Sequence, residues 1–159
     1  MRTLEMFLPC LCLALASATL TYAEESHGSA PVTSTQIFDS YGDIPFEDEK
    51  AHLDNFAIQL QSEPGYIGYI IVYAGRRACV GEAQRRAIRA KRYLIERRGV
   101  DENLIIWRDG GYREELTVEL FIVARGAPAP TPSPHLSPRD VRIIRCDRRN
   151  HQRRVRNRS

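Results

Sequence analysis

Residue types on which metal and catalytic sites depend are scarce: among 159 residues there are four cysteines, four histidines and one tryptophan. Three of the histidines (His27, His135 and His151) are scattered through segments without hydrophobic periodicity, so they offer no metal site with regular ligand spacing. No predicted helix follows Gly110-Gly111, which excludes a phosphate-binding loop there. Internal repeats are also absent, which excludes a solenoid or a propeller. We therefore predict a non-catalytic protein without a metal or a cofactor.

Lysine is also scarce, and the basic residues are unevenly distributed. Of the 23 basic residues, 21 are arginine. Residues 139–159 contain nine arginines and two aspartates, a local charge of +7, whereas residues 24–125 carry −4 within a total of +3. The chain therefore combines an acidic body with a basic tail. Because arginine makes bidentate contacts to carboxylates and phosphates, an anionic partner is a reasonable expectation.

Only one apolar run is long, and it lies at the beginning of the chain. It covers residues 6–20 and is followed by a small residue, Ala23, as at a signal-peptidase site. The run is shorter than the ~20 apolar residues of a spanning helix. We therefore expect residues 1–23 to be a cleaved signal peptide, with the protein exported to the periplasm or cell envelope. The alternatives are an uncleaved anchor, or a lipoprotein modified at Cys10 or Cys12.

Cleavage of such a signal leaves two cysteines, Cys79 and Cys146. In an oxidising compartment we expect them to form a disulfide. Closing so long a loop restricts the unfolded chain by roughly 4 kcal/mol on the entropy model. It would also hold the end of the chain against the body. The alternative is two unpaired thiols.

Hydrophobic periodicity predicts the order β-α-β-α-β-β over residues 36–125. The fold class that follows is α+β, with two helices on a four-stranded mixed sheet. Its first three strands can pair in parallel through right-handed crossovers, and the last is added antiparallel. The predicted strands are 36–41, 66–74, 103–108 and 115–123, and the predicted helices are 48–62 and 81–98.

The remaining segments have the composition of connections. Residues 24–35 are polar and predict a flexible lead-in, and residues 109–112 predict a turn. Residues 126–138 are rich in proline and predict a semi-rigid linker. The basic tail of residues 139–159 follows, in which residues 141–146 could add a short edge strand.

Neighbouring carboxylates do not form a candidate acid–base pair. Glu114 and Glu115 point to opposite faces if they lie on a strand. The acidic residues 47–49 suit the positive end of a helix dipole, and we expect them to be solvated. His52 lies beside the apolar stripe of the first helix, where we expect a surface or packing role.

Several short motifs lie on the second predicted helix and after it. They are Arg86-Ala87 and Tyr93-Leu94 on the helix, Gly99-Val100 after it, and the Gly110-Gly111-Tyr112 turn. Together with the element order over residues 36–123, they resemble the OmpA-like domain, the C-terminal domain of outer-membrane protein A. The resemblance implies an α+β domain of the cell envelope that binds peptidoglycan non-covalently. It further implies that Arg86 and a partnering aspartate hold the charged ends of diaminopimelate, because each charge then meets its opposite.

The sequence departs from this family at the expected binding loop. The family has Gly-His-Thr-Asp where this chain has Gly75-Arg76-Arg77-Ala78. The carboxylate that would receive an ammonium is therefore missing, and two cations stand in its place. Arg86, Arg76 and Arg77 together would favour an anion over a zwitterion.

Two functions follow from these observations. The first is a domain that tethers to or senses peptidoglycan or another anionic envelope polymer through the arginine-rich second helix. The second is a structural or protein-interaction module that has lost peptidoglycan binding and uses its basic helix and tail on an anionic partner. A solvated helix face would explain the same arginines without any partner. We do not expect nucleic acid, because no aromatic residues are interleaved with the basic ones.

Overall fold

The structure, a computed structural model, describes residues 36–146, which form six strands, two α-helices and two short 3₁₀ turns. The predicted signal peptide, the lead-in and the last thirteen residues of the tail lie outside the described residues. In chain order the elements are β1 (Ile37–Tyr41), α1 (Phe46–Ser62), β2 (Tyr66–Ala74), β3 (Arg77–Cys79), α2 (Glu82–Arg98), the turn Glu102–Leu104, β4 (Ile105–Tyr112), β5 (Thr117–Ala124), the turn Pro138–Asp140 and β6 (Arg142–Ile144).

Both helices form where apolar or small residues recur at helical spacing, as predicted. This pattern gives each helix one buried stripe that packs on the sheet. Gly99 ends α2 with a φ of 67°, and its backbone N–H donates to Ile95 O, which is a left-handed C-terminal cap. The buried stripes consist of Leu53, Phe56, Ala57 and Leu60 in α1, and Ala83, Ala87, Ala90 and Leu94 in α2.

The main sheet has the strand order β1-β5-β2-β4. β2 pairs parallel to β4 and antiparallel to β5, and β5 also pairs antiparallel to β1. The predicted mixed four-stranded sheet with two helices is confirmed. The predicted parallel pairing is confirmed for β2 and β4 and is wrong for β1, because β5 lies between β1 and β2. Both faces of β5 carry buried side chains, among them Val118 and Phe121, so an interior position in the sheet suits this strand.

A short link, residues 113–116, carries the chain from β4 across the end of β2 to β5. Arg113 N donates to Ala74 O at 2.9 Å, and Arg76 N donates to Glu114 O at 3.1 Å. These bonds pair backbone groups that would otherwise be left free where β2 ends. The link therefore lies over the carboxyl end of β2.

Residues 109–112, predicted as a turn, form the second half of β4. Gly110 is buried, and a Cβ at this position would lie 2.5 Å from Cδ1 of Tyr73, so the close approach of β2 requires glycine. Gly111 has a φ of 83°, and the β2–β4 register shifts between Val72 and Tyr73. The two glycines thus accommodate a bulge in an edge strand and do not reverse the chain.

Apolar side chains are buried on both faces of the sheet. The face that carries the helices forms the larger core. The opposite face buries a second cluster of aromatic and β-branched side chains, so β2 is covered on both sides, as its continuous apolar run predicts. This second cluster contains Tyr69, Ile71, Tyr73, Phe121 and Val123.

The second face is covered by residues 126–138, which we call the proline-rich strap. Ala127 and Ala129 pack against the aromatic cluster, and Pro130 is buried. Ser133 N donates to Tyr73 Oη at 3.2 Å, and Leu136 N donates to Tyr112 O at 3.0 Å. Predicted only as a linker, this segment also forms a packed layer of the fold.

A second, two-stranded sheet lies outside the main one, and we call it the β3–β6 ribbon. β3 and β6 pair in parallel, with Arg77 opposite Arg142. The predicted disulfide between Cys79 and Cys146 is present, with Cα atoms 5.4 Å apart. The predicted short strand within residues 141–146 therefore exists, but it pairs with β3 and not with the main sheet. Across residues 36–146, no helix has the length and apolar character needed to span a bilayer.

Candidate ligand-binding site

One end of the sheet brings several loops together. β1, β2 and β4 all end there, and β5 begins there. The loop of residues 42–45 and the link of residues 113–116 meet at this end: Cβ atoms added to Gly42 and Gly75 would lie 3.5 Å and 3.1 Å from backbone atoms of Leu116. Ligands of open α/β sheets commonly bind beyond the carboxyl ends of the strands. This end of the sheet is therefore where a site is expected.

Arg86 lies at this end, within the buried face of α2. Only 6% of its side-chain surface is exposed, although arginine is rarely buried without a partner. Its Nη2 donates to Asp43 Oδ1, and its Nε lies 4.0 Å from Glu82 Oε1. Its Nη1 is buried and has no hydrogen-bond partner among the described residues. One donor of a buried guanidinium is thus unused, which costs free energy unless a ligand or water accepts its hydrogen.

Asp43 supplies a carboxylate that the sequence comparison did not assign. It lies in the loop after β1, and 48% of its side-chain surface is exposed. Ala78, which occupies the position of the family's aspartate, is buried in β3. The pairing of Arg86 with an aspartate is therefore present here, with the acid coming from a different loop. No sequence signal marked Asp43, because its partner is 43 residues away along the chain.

Arg76 and Arg77, the other two predicted site residues, have surroundings different from those of Arg86. Arg76 Nε donates to Glu114 Oε2 at 2.8 Å, and its Nη2 donates to Oε1 at 2.6 Å. These hydrogen bonds lower the pKa of Glu114 and raise that of Arg76. Arg77 lies on β3 beside Arg142 of β6. Within residues 36–146, no hydrogen bond or ion pair joins the side chain of Arg76 or Arg77 to the Arg86–Asp43 pair.

The acidic start of α1 is not wholly solvated, contrary to the expectation from sequence, because Glu49 is fully buried. Its carboxylate accepts hydrogen bonds from Tyr41 Oη at 3.1 Å and from Arg89 Nη2. Burial, followed by the charge and hydrogen bond of Glu49, raises the pKa of Tyr41 well above its usual range. Arg89 has a buried Nε without a partner, but its guanidinium is about one-third exposed and lies over the Phe46 ring. This cluster fixes α1 against α2 and β1.

The basic residues of α2 are mostly paired with acids, so the helix is not an open cationic face. At the far end, Asp54 accepts from Arg98 and from Tyr93 Oη, and these bonds outweigh burial and lower its pKa. Arg85 and Arg97 are the basic residues of this helix that make no ion pair with another described residue. Five of the seven do: Arg86 with Asp43, Arg89 with Glu49, Lys91 with Glu102, Arg92 with Glu96, and Arg98 with Asp54.

His52 has the packing role expected of it. Its Nδ1 lies 2.6 Å from Asp39 Oδ2, and its ring lies 4.6 Å from the ring of Tyr41. Residues 36–146 contain no group of three or more histidine, cysteine, aspartate or glutamate side chains that could hold a metal. The Arg86–Asp43 pair presents one cation and one carboxylate, groups that can bind and orient charged parts of a ligand.

Comparison of the chain with protein-family models, with curated proteins and with solved structures gives no match. The resemblance to OmpA-like domains consequently stays a prediction from sequence motifs.

Proposed function

We propose that this protein is an exported, non-catalytic domain of the cell envelope that binds carboxylate-bearing peptides of peptidoglycan through Arg86 and Asp43. The observation that carries the proposal is the buried Nη1 of Arg86, which has no partner while Nη2 is held by Asp43. Most buried polar groups have a hydrogen-bond partner, so an unpaired donor on a guanidinium that is only 6% exposed points to a missing acceptor. A ligand carboxylate could accept the hydrogen bond that Nη1 does not make within the protein.

The pair also suits a ligand that carries both charges. Arg86 would donate hydrogen bonds to the ligand carboxylate. The half-exposed Asp43 would accept hydrogen bonds from the ligand ammonium at the oxygen that Arg86 does not bind. The sequence alone favoured an anion over a zwitterion, because Ala78 replaced the family's acid. Asp43 restores the missing charge and supports peptide ends of the diaminopimelate kind.

Ligand access requires movement of the loop of residues 42–45, since Nη1 is buried. This loop contains no helix or strand residues. Its internal backbone hydrogen bond runs from Ile44 N to Gly42 O at 3.0 Å, and only Pro45 O is held by α1, where it accepts from Asp48 N and Glu49 N. Loops with few such bonds open at low cost. Asp43 would move outwards with the loop and remain available to the ligand.

The disulfide supports the proposed location. Such bonds persist in exported proteins and are rare in the reducing cytosol. Together with the predicted signal peptide, the Cys79–Cys146 bridge favours the periplasm or another part of the envelope.

The test is co-sedimentation of residues 24–159 with purified peptidoglycan. We expect Arg86→Ala and Asp43→Asn each to weaken binding about tenfold or more, because each removes one half of a charge-assisted contact. Arg86→Lys should be almost as weak, since lysine cannot reproduce the guanidinium fork.

Arg92→Ala is the matched control, because Arg92 is an exposed arginine of the same helix with one loose ion pair at 3.9 Å. It should bind like the wild type. Near-ultraviolet circular dichroism establishes that each variant is folded. Folded Arg86→Ala protein that sediments as well as the wild type would contradict the proposal.

A further inference from the structure

The β3–β6 ribbon carries unpaired positive charge. Arg77 and Arg142 are register partners in parallel strands, so their side chains lie next to each other on one face of the ribbon. Both are exposed, and within residues 36–146 no carboxylate forms an ion pair with either. Like charges in adjacent positions are unfavourable unless an anion is bound between them. This face therefore suits a phosphate group.

More positive charge adjoins the ribbon. Arg139 and Arg145 flank β6 and are exposed, with no ion pair to another described residue. The disulfide holds Cys146 to β3, and residues 147–159, which contain six arginines and one aspartate, continue the chain from that point. The sequence that directly follows the ribbon therefore adds a charge of +5.

The ribbon also exposes aliphatic side chains, one on β6 and one directly after β3. Ile143 of β6 is 47% exposed, and Val80, whose N–H donates to Ile144 O at 3.0 Å, is 56% exposed. Single exposed aliphatics are common on proteins. Because arginines without an ion-pair partner lie next to them, these aliphatic side chains suit a partner that presents both phosphate groups and hydrocarbon.

We propose that the β3–β6 ribbon docks edge-on to an anionic phospholipid bilayer. By strand alternation Arg142 and Ile143 lie on opposite faces of β6, and both are open to solvent. Interfacial protein segments bury about 5–10 Å into the headgroup and acyl boundary, a depth at which both faces of an edge strand can contact lipid. Arg77 and Arg142 would bind lipid phosphates while Ile143 and Val80 reach the acyl boundary. Within the described residues, no ion pair joins Arg77 or Arg142 to the Arg86–Asp43 pair, and the docking proposal goes beyond the function proposed above.

The test is flotation of residues 24–159, which include the whole described fold, with lipid vesicles. We expect binding to vesicles in which a third of the lipid is phosphatidylglycerol, and none to pure phosphatidylcholine. Replacing Arg77 and Arg142 together by serine should weaken binding about tenfold, because basic residues close to the surface supply most of the attraction. The double variant Arg92→Ser and Arg97→Ser changes the net charge equally on α2 and should stay within about twofold of wild type.

A second pair of substitutions separates a bilayer from a soluble polyanion. Ile143→Ser with Val80→Ser should weaken vesicle binding several-fold and leave binding to soluble polyphosphate unchanged. The proposal is overturned if anionic vesicles are not bound, or if the two double-arginine variants lose binding equally. It is also overturned if the aliphatic substitutions leave vesicle binding intact, which would point to a soluble phosphate polymer. Peptidoglycan sedimentation of the ribbon variants should be unaffected, so this test and that of Arg86 fail independently.

Discussion

At the level of single residues, the buried charged side chains differ in how completely they are hydrogen-bonded. Glu119 is buried, and both of its oxygens are bonded, to Tyr73 Oη at 2.9 Å and to Arg113 Nη1 at 2.7 Å. Glu49 is similarly paired with Tyr41 and Arg89. Arg86 is the buried charged residue that keeps an unbonded donor. The two glutamates stabilise contacts between elements, whereas the unbonded donor of Arg86 is the feature on which the proposed binding depends.

Removing the cation beside Glu49 should destabilise the fold. We expect Arg89→Ala to lower the free energy of unfolding by about 2–3 kcal/mol, because the carboxylate would stay buried without its partner. Arg89 is partly exposed, so we expect a loss below the roughly 3–5 kcal/mol that follows from breaking a fully buried pair. Urea denaturation measures it, and Arg92→Ala should change the free energy by less than about 0.5 kcal/mol. A loss of similar size in both variants would show that the Arg89–Glu49 pair is not structural.

At the level of elements, hydrophobic periodicity was sufficient to predict the features that depend only on the local sequence. Both helices and all four strands of the main sheet form in the predicted order along the chain. The position of β5 was missed, because alternation within a strand says which faces are buried and not which strands are its neighbours. Gly110 was misread for a related reason: its requirement for glycine comes from Tyr73, 37 residues earlier. The roles of Asp43 and Glu49 were missed because the arginines that bind them lie 43 and 40 residues later in the chain.

The proline-rich strap should be needed for stability. Truncation after Arg125 exposes the cluster of Tyr69, Tyr73 and Phe121, but it also removes Cys146. The matched control is the full-length double variant Cys79→Ser and Cys146→Ser, which keeps the strap without the disulfide. We expect the truncated chain to melt at a lower temperature than this control and to bind a hydrophobic dye. Equal melting temperatures would show that the strap is only a connection.

For the whole molecule, the disulfide joins the end of the described chain to its middle. It spans 67 residues, so it restricts the unfolded chain strongly and holds β6 against β3. The fold presents two charged surfaces. One is the Arg86–Asp43 pair at one end of the main sheet, and the other is the β3–β6 ribbon. The first combines buried and exposed opposite charges, and the second carries unpaired positive charge.

Loss of the disulfide should reduce global stability. We expect the double variant Cys79→Ser and Cys146→Ser to unfold with a free energy lower by about 4 kcal/mol. Guanidinium denaturation measures the difference, and added reductant should lower the stability of the wild type towards that of the variant. A wild type unaffected by reductant and equal to the variant would contradict this expectation.

Nuclear magnetic resonance offers the sharpest view of the Arg86–Asp43 pair. The wild-type protein of residues 24–159, labelled with nitrogen-15, would be titrated with a soluble muropeptide that carries a free diaminopimelate end. We expect shifts in the Arg86 guanidinium signals and in the backbone amides of residues 42–45 and the first turns of α2. Saturable shifts confined to these groups would establish the site. Unchanged Arg86 signals, or shifts only in the β3–β6 ribbon, would show that Arg86 and Asp43 do not bind the ligand.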